Sequence, residues 1–256
     1  MHYKNLRNDS LIAKGLDLSM KNFQIYSGLV LFLAIVLNFS SAQGQNFYKE
    51  KVPRENFIQA GIGLGGLYSD NAGYFGKLDF LIRPGISLSY GRKFHEHFDI
   101  RANLGYQRTR GQILGYYGPQ VLEIWRVRDQ AISSKNNLLF LDVIPSLYLF
   151  GSDNHTKRSK INAYGGLGLG LLMNFNTTIN FDLETQYSVQ PIGYVPVKVG
   201  ASYRFDLYTD IALEGTVMFT FSDNIDGNVG FNRFNDYPFM GQIVVRRYLD
   251  PFKKIF

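Results

Sequence analysis

The chain has no cysteine, one tryptophan and four histidines in 256 residues. Without cysteine there is no disulfide framework, no thiolate nucleophile and no sulfur to carry a lipid anchor. Of the histidines, His2 precedes the expected export cleavage point, while His95 and His97 ("FHEH") and His155 ("DNHTK") fall in short polar turns. A histidine pair in a solvated turn lacks the helical spacing of a zinc site. No Ser-His pairing sits at an outward strand end. No catalytic residue, metal or cofactor is therefore expected. Charge of one sign is scarce too: the formal net charge is +6, of which the first 42 residues carry +2. The basic residues form no stripe on a helix, which argues against a nucleic-acid partner.

Long apolar runs are missing except near the start. Lys21 precedes "IYSGLVLFLAIVL", residues 25–37, and the small residues "SSA" follow at Ser40 to Ala42. A basic n-region, an apolar core of about a dozen residues and a small-residue cleavage site read as a secretory signal cut after Ala42. Met20 stands just before Lys21, so residues 1–19 read as an upstream extension. The expected organisation is an extension and signal peptide over 1–42, a short periplasmic lead-in over 43–55, and one domain over 56–256. No later segment is long and apolar enough for a membrane helix.

Glycine and aromatics, by contrast, are plentiful: 26 glycines, and aromatics at 15% of the chain. The stretch "FIQAGIGLGGLYSD" places Gly61, Gly63 and Gly66 at the spacing G-x-G-x-x-G. A dinucleotide loop would need a helix opening on the third glycine. Instead the glycines alternate with apolar residues and a turn-like "LYSDNAGYFG" follows. Ile58, Ala60, Ile62 and Leu64 take one face, Gln59, Gly61, Gly63 and Gly65 the other. Seven further segments follow, and at least six of the eight alternate cleanly with the same period of two. Examples are Ile86, Leu88 and Tyr90 against Gly85, Ser87 and Ser89, and Ile211, Leu213 and Val217 against Glu214 and Thr216. "LLFLDVIPSLYLF" is apolar on both faces, with Asp142, Ser146 and Tyr148 assigned inward. "INAYGGLGLGLLMNF" repeats the opening glycine device, which leaves inner room for long charged side chains of neighbouring strands.

Eight alternating segments in an exported, glycine- and aromatic-rich chain read as all-β, an eight-stranded antiparallel up-and-down transmembrane β-barrel in the cell outer membrane. The connections "RKFHEH", "GSDNHTKRSK" and "DLYTD" are short, as periplasmic turns are. Those after the third, fifth and seventh segments are longer, the longest running from Arg110 to Asn137, while the first is short. Tyr90, Phe94, Phe98, Tyr203 and Phe205 at one end, and Tyr106, Phe175, Phe221 and Phe239 at the other, suit interfacial girdles. Pro84, Pro145 and Pro196 interrupt proposed strands, and bulges are expected to accommodate them.

With eight strands the interior is just wide enough for side chains. Inward positions hold Lys77, Arg83, Arg101, Lys198, Arg204 and Arg246 beside Asp79, Asp99, Asp142 and Glu214. Unpaired buried charge is costly, so these should form a paired polar plug. At the periplasmic end Arg92, Lys93, Lys157, Arg158 and Lys160 read either as ordinary solvated turns or as a basic rim for an acidic partner or the cell wall. The longest loop holds Trp125 beside Ile124, Tyr116 and Tyr117. It reads either as an apolar partner surface or as a strand extension or short helix folded over the barrel mouth.

The motifs also carry a resemblance. "GGLYSD", "RPGISLSYGRKFHEHFDIRANLGYQRTRG", "INAYGGLGLGLLMNFN", "PIGYVPVKVGASYRF", "IALEGTVMFTFSDNIDG" and "GQIVVRRYL" follow one another over residues 57–249. In this order the chain resembles the small outer-membrane β-barrel domain proteins common in Bacteroidetes, and within them the accessory barrels of type IX secretion and gliding. The resemblance implies a non-enzymatic structural or accessory subunit, in contact with outer-membrane lipid and with a periplasmic or secretion-machinery protein. Rival expectations are a small-solute or lipid-binding barrel and a lipid-modifying barrel enzyme.

Overall fold

The computed structural model describes residues 55–72, 80–112, 119–151, 159–206, 208–230 and 234–249. The expected signal segment, and with it Lys77, Asp79, Tyr116, Tyr117, Lys157 and Arg158, lies outside these residues. Nine strands follow one another: β1 (Asn56–Tyr68), β2 (Arg83–His95), β3 (Phe98–Gln112), β4 (Ala131–Tyr148), β5 (Ile161–Leu167), β6 (Leu169–Asn180), β7 (Thr185–Arg204), β8 (Thr209–Thr220) and β9 (Tyr237–Tyr248). All pairings between them are antiparallel. One helix, α1 (Pro119–Val127), stands between β3 and β4.

β5 and β6 are halves of a single wall position. Both pair with β4 on one side and β7 on the other, in one continuous register. The break between them falls at Gly168, whose neighbours include Pro196. The Gly168 N–H donates to the Pro196 carbonyl at 3.1 Å, but a proline has no N–H to return. Eight wall positions therefore form the ring, and β1 closes it on β9 through Phe57–Tyr68 against Tyr237–Tyr248.

The prolines do not produce the expected bulges. Pro84 opposite Leu64, Pro145 opposite Ile100 and Pro196 opposite Met218 all sit in uninterrupted register. Each removes one ladder donor and leaves the alignment intact. The register shifts occur instead at Lys93/His95 and Ala131/Ser133, near strand ends.

Side chains divide by parity. Outward Ile62, Leu88, Leu141, Leu169, Leu213 and Ile243 are 54–72% exposed, while inward Gln59, Ser89, Asp142, Glu214 and Gln242 are at most 5% exposed. Tyr90, Phe94, Tyr203 and Phe205 project at the turn end, and Phe175 and Phe221 at the loop end. A closed ladder with an apolar exterior is what lipid requires, because no backbone group is left for water to satisfy. β4 is apolar on both faces for a structural reason. Its inward Leu138 and Phe140 join Leu67, Leu172, Ile192, Met218, Ile225 and Met240 in an apolar layer across the loop-end half of the lumen.

The connections differ from the expected lengths. β3 runs to Gln112 and β4 starts at Ala131, so much of the expected longest loop is strand. β6 and β7 extend to a tight turn at residues 181–184, with Leu183 at φ 62°. The first connection is not short, since β1 ends at Tyr68 and β2 begins at Arg83. Inner glycines make room for more than the expected charged side chains: a Cβ at Gly91 would meet Arg101 as well as Phe57, and one at Gly61 would meet Gln242. A Cβ at Gly200 would stand 2.7 Å from the Tyr164 ring, and one at Gly170 would stand 2.4 Å from the Tyr194 ring. They make room for phenols, whose hydroxyls reach acids deeper in the lumen.

Candidate functional site

The lumen is organised around Glu214 on β8. Its Oε1 accepts from Arg101 Nη1 at 2.8 Å, its Oε2 from Gln242 Nε2 at 2.9 Å, and the Tyr164 hydroxyl also donates to it. Lys198 Nζ stands 3.6 Å from Oε2. Arg101 spreads further, to Ser146 Oγ at 2.8 Å and towards Asp99 at 3.5 Å. Asp99 accepts from the Tyr148 hydroxyl, and Asp142 from Asn103 and, at 2.7 Å, from the Tyr194 hydroxyl. Arg246 donates through Nε to Gln59 at 3.2 Å and stacks its guanidinium over Phe57, with Tyr148 and Tyr164 also within cation–π reach. Asp99, Arg101, Asp142, Lys198, Glu214 and Arg246 are thus brought together, each no more than 4% exposed.

Alternation explains the convergence. Residues from β3, β4, β7, β8 and β9 that point inward at one height have no wall between them, so opposite charges meet across the barrel. Arg83 and Arg204 sit at strand ends and are only half-buried. The residues overlooked as a set are Gln59, Tyr164, Tyr194 and Gln242. Their signal was available: a polar or phenolic side chain at an inward position of each strand.

The loop end is closed by a second polar cluster. Ile225, Asp226 and Asn228, between β8 and β9, turn inward and with Asp236 are at most 1% exposed. Asp226 accepts the backbone N–H of Asn71 and of Asn228, both at 2.9 Å. Asp236 accepts that of Ile225 at 2.7 Å. Asn228 bridges to Asn71 and to both backbone groups of Ala131, while Asn174 and Asn176 donate to the Ile225 carbonyl at 3.0 Å. Gly227, at φ 89°, makes the turn that admits this path.

Trp125 sits in a short helix and not at a wet apolar tip. Trp125 is 0% exposed, whereas Ile124 remains 47% exposed. The helix ends with Arg128 and Gln130 N–H groups donating to the Ile124 and Trp125 carbonyls, and Asp129 takes φ 52°. Asn180 then ties Asp129 to the end of β6 at 2.7 Å.

At the turn end Arg92 is exposed and lies 3.8 Å from Glu55, Lys93 lies over the Tyr148 ring, and Lys160 is exposed. The His95 and His97 rings stack at 6.2 Å, and the His97 Nδ1 lies 2.9 Å from the Tyr148 carbonyl. Among the described residues no group of three His, Asp or Glu side chains has metal-holding geometry.

No family model matches the chain, and no curated protein does. Among solved structures it is similar to Neisserial surface protein A at 15% identity and TM-score 0.45, covering 76% of this chain and 97% of that one. It is similar to Ail, the attachment invasion locus protein of Yersinia pestis, at 13% identity and TM-score 0.45, covering 76% and 98%. It is also similar to the outer membrane protein OprG from Pseudomonas aeruginosa, at 13% identity and TM-score 0.41, covering 78% and 99%. Similarity at this level says nothing of what this chain binds.

Two outcomes follow. Glu214→Ala leaves Arg101 and Lys198 buried without their carboxylate, an expected loss of about 3–5 kcal/mol. Combining it with Arg101→Met should cost less than the sum of the two single losses, read from urea midpoints of the barrel refolded in detergent. Simple additivity would mean that the pair does not interact.

The second concerns pH. Burial, with the charge of Asp223, pushes Asp226 up to about 6, and burial with the charge of Asp226 pushes Asp236 up to about 10. Both lie in the loop above the apolar band. A carboxyl protonated in the closed loop but ionised once released favours the closed loop at low pH. That advantage declines as pH rises from the ordinary carboxyl range, near 4, through the raised values. Amide exchange across residues 221–236 should therefore rise from pH 5 to pH 8 beyond its intrinsic increase. Asp236→Asn should flatten this excess.

Proposed function

We propose that this chain is a non-enzymatic outer-membrane barrel that serves as a structural or accessory subunit of an envelope or secretion assembly. The observation that carries the reading is the filled lumen. Ion pairs at Glu214, the apolar layer above them and the inward-turned Ile225, Asp226 and Asn228 occupy the interior in succession. A barrel with a blocked bore has only its two rims and its lipid-facing wall to offer a function.

The apolar wall supports residence in lipid, and short turns together with both strand ends of the chain at one rim support a periplasmic turn end. That rim presents Arg92, Lys93 and Lys160 to an acidic partner. The type IX secretion and gliding role implied by the sequence resemblance fits a barrel whose work is done at this rim. A lipid-modifying enzyme is disfavoured by the position of His95 at the turn end of β2 and His97 in the turn that follows, on the polar rim.

The test is affinity capture after gentle detergent extraction from the native membrane. A stoichiometric periplasmic or membrane partner is expected, and Arg92→Glu with Lys160→Glu should weaken its retention in a salt-dependent way. Recovery of a clean monomer under these conditions would contradict the subunit reading.

A further inference from the structure

On the outer surface at the loop end, three cations stand together. β3 carries Arg108 and Arg110 beyond Tyr106, and β4 carries Lys135. Their chain neighbours Thr109, Ser134 and Asn136 point inward and are at most 3% exposed, so alternation turns Arg108, Arg110 and Lys135 to the outside. Arg110 and Lys135 are direct register partners, and Arg108 lies opposite Asn137 on the same two strands. Tyr106 and Leu139 form the next outward pair below them, in the apolar wall. Two residues of strand span about 7 Å. The cations therefore begin just past the aromatic girdle, at the depth of lipid headgroups.

No acid of the wall answers them. Among the described residues none of the three has a carboxylate within 4 Å. The acids of the flanking connections, Asp129, Asp182 and Glu184, lie past the Ala131–Asn180 register pair. Ala131 is itself about 13 Å along β4 from Lys135. The outward arginines of the turn end differ: Arg92 has Glu55 at 3.8 Å and Arg247 has Asp206 at 3.6 Å. Like charges directly across an antiparallel pair repel, so Arg110 opposite Lys135 is a cost that the wall does not offset. Arg108 is also held ready. Its Nε donates to the Tyr106 hydroxyl at 3.0 Å, which in turn donates to Asn137 at 2.7 Å. That leaves the two terminal nitrogens of its fork for an acceptor outside the barrel.

We infer that this patch holds the phosphomonoester group of a membrane glycolipid in the leaflet at the loop end, through Arg108, Arg110 and Lys135. Position selects a lipid, because the patch faces sideways off the lumen and stands directly above the apolar wall. Charge selects the monoester. At neutral pH such a group carries about −1.5 to −2, more than the phosphodiester of a glycerophospholipid, and three unanswered cations match the larger charge. The planar forks of two arginines suit the oxygens of one phosphate, and lysine adds a point charge. The inference rests on the loop end facing the outer leaflet and is independent of the subunit reading.

The experiment uses the full mature chain refolded in a neutral detergent and titrated with diphosphorylated lipid A in mixed micelles. Retained lipid is counted by native mass spectrometry, and stability is read as the temperature at which the folded gel band is lost. Saturable retention of lipid A with a raised temperature is expected, and phosphatidylglycerol at equal total charge should be retained far less. Arg108→Gln, Arg110→Gln and Lys135→Gln together should weaken lipid A retention roughly tenfold or more. Without lipid the same variant should unfold no earlier than the parent, because it relieves the repulsion between Arg110 and Lys135. Arg247→Gln, at the turn end, should leave lipid A retention unchanged. Retention of phosphatidylglycerol equal to that of lipid A would overturn the assignment, as would unchanged affinity in the triple variant. So would earlier unfolding of that variant in the absence of lipid, or an equal loss of retention in Arg247→Gln. Displacement of lipid A by an equal concentration of inorganic phosphate would make this a site for the free ion and overturn the lipid.

Discussion

Everything in this molecule depends on the seam between its first and last strands. By pairing Phe57–Tyr68 with Tyr237–Tyr248, β1 and β9 turn an open sheet, which would end in two rows of unsatisfied N–H and C=O groups, into a ring. Only a closed ladder lets the backbone leave water altogether. Once the ring exists, a wall of exposed leucine and isoleucine ceases to be an aggregation hazard and becomes the surface that lipid solvates. The same side chains on an open sheet would drive association between chains.

Closure at eight wall positions then fixes the interior. Inward side chains fill it, and their chemistry is sorted along the axis. The turn-end half is ionic and phenolic, centred on Glu214 and Arg101. The loop-end half is apolar, from Leu67 round to Met240, and above it the Asp226 and Asp236 carboxyls hold the backbone of Asn228 and Ile225. This order has a physical logic. Buried ions are tolerable where several strands supply partners at one level, while an apolar layer packs without any need for directional partners.

Much of the wall was legible because its period is two. Ile58, Ala60, Ile62 and Leu64 alternate with Gln59 and the glycines in the sequence as they do in space. The balance of inward acids and bases was legible for the same reason, although sequence alone did not show that Tyr164 and Tyr194 would be their partners. What could not be read was set by contacts remote in sequence. "SDNIDGNVG" has the composition of a solvated loop, yet Asp226 and Asn71 meet across 155 positions. Trp125 among Ile124 and Val127 looks the same in sequence whether it is wet or buried, and only the folded chain shows that its ring is covered. The break at Gly168 needed knowledge of its flanking strands, because Pro196 lies on the neighbouring wall and not in its own segment.

The absence of cysteine permits a direct test of the closing seam. Ile62 and Ile243 are register partners on the outer surface, and paired residues on adjacent antiparallel strands hold their Cβ atoms about 5 Å apart. With Ile62→Cys and Ile243→Cys introduced together, a short bifunctional thiol reagent should cross-link the chain internally in native membranes. The heat-dependent gel mobility of the folded protein should be retained, and Ile62→Cys paired with Leu141→Cys should give no link. Failure of the seam pair to link, or linking of both pairs alike, would contradict a closed barrel in this register.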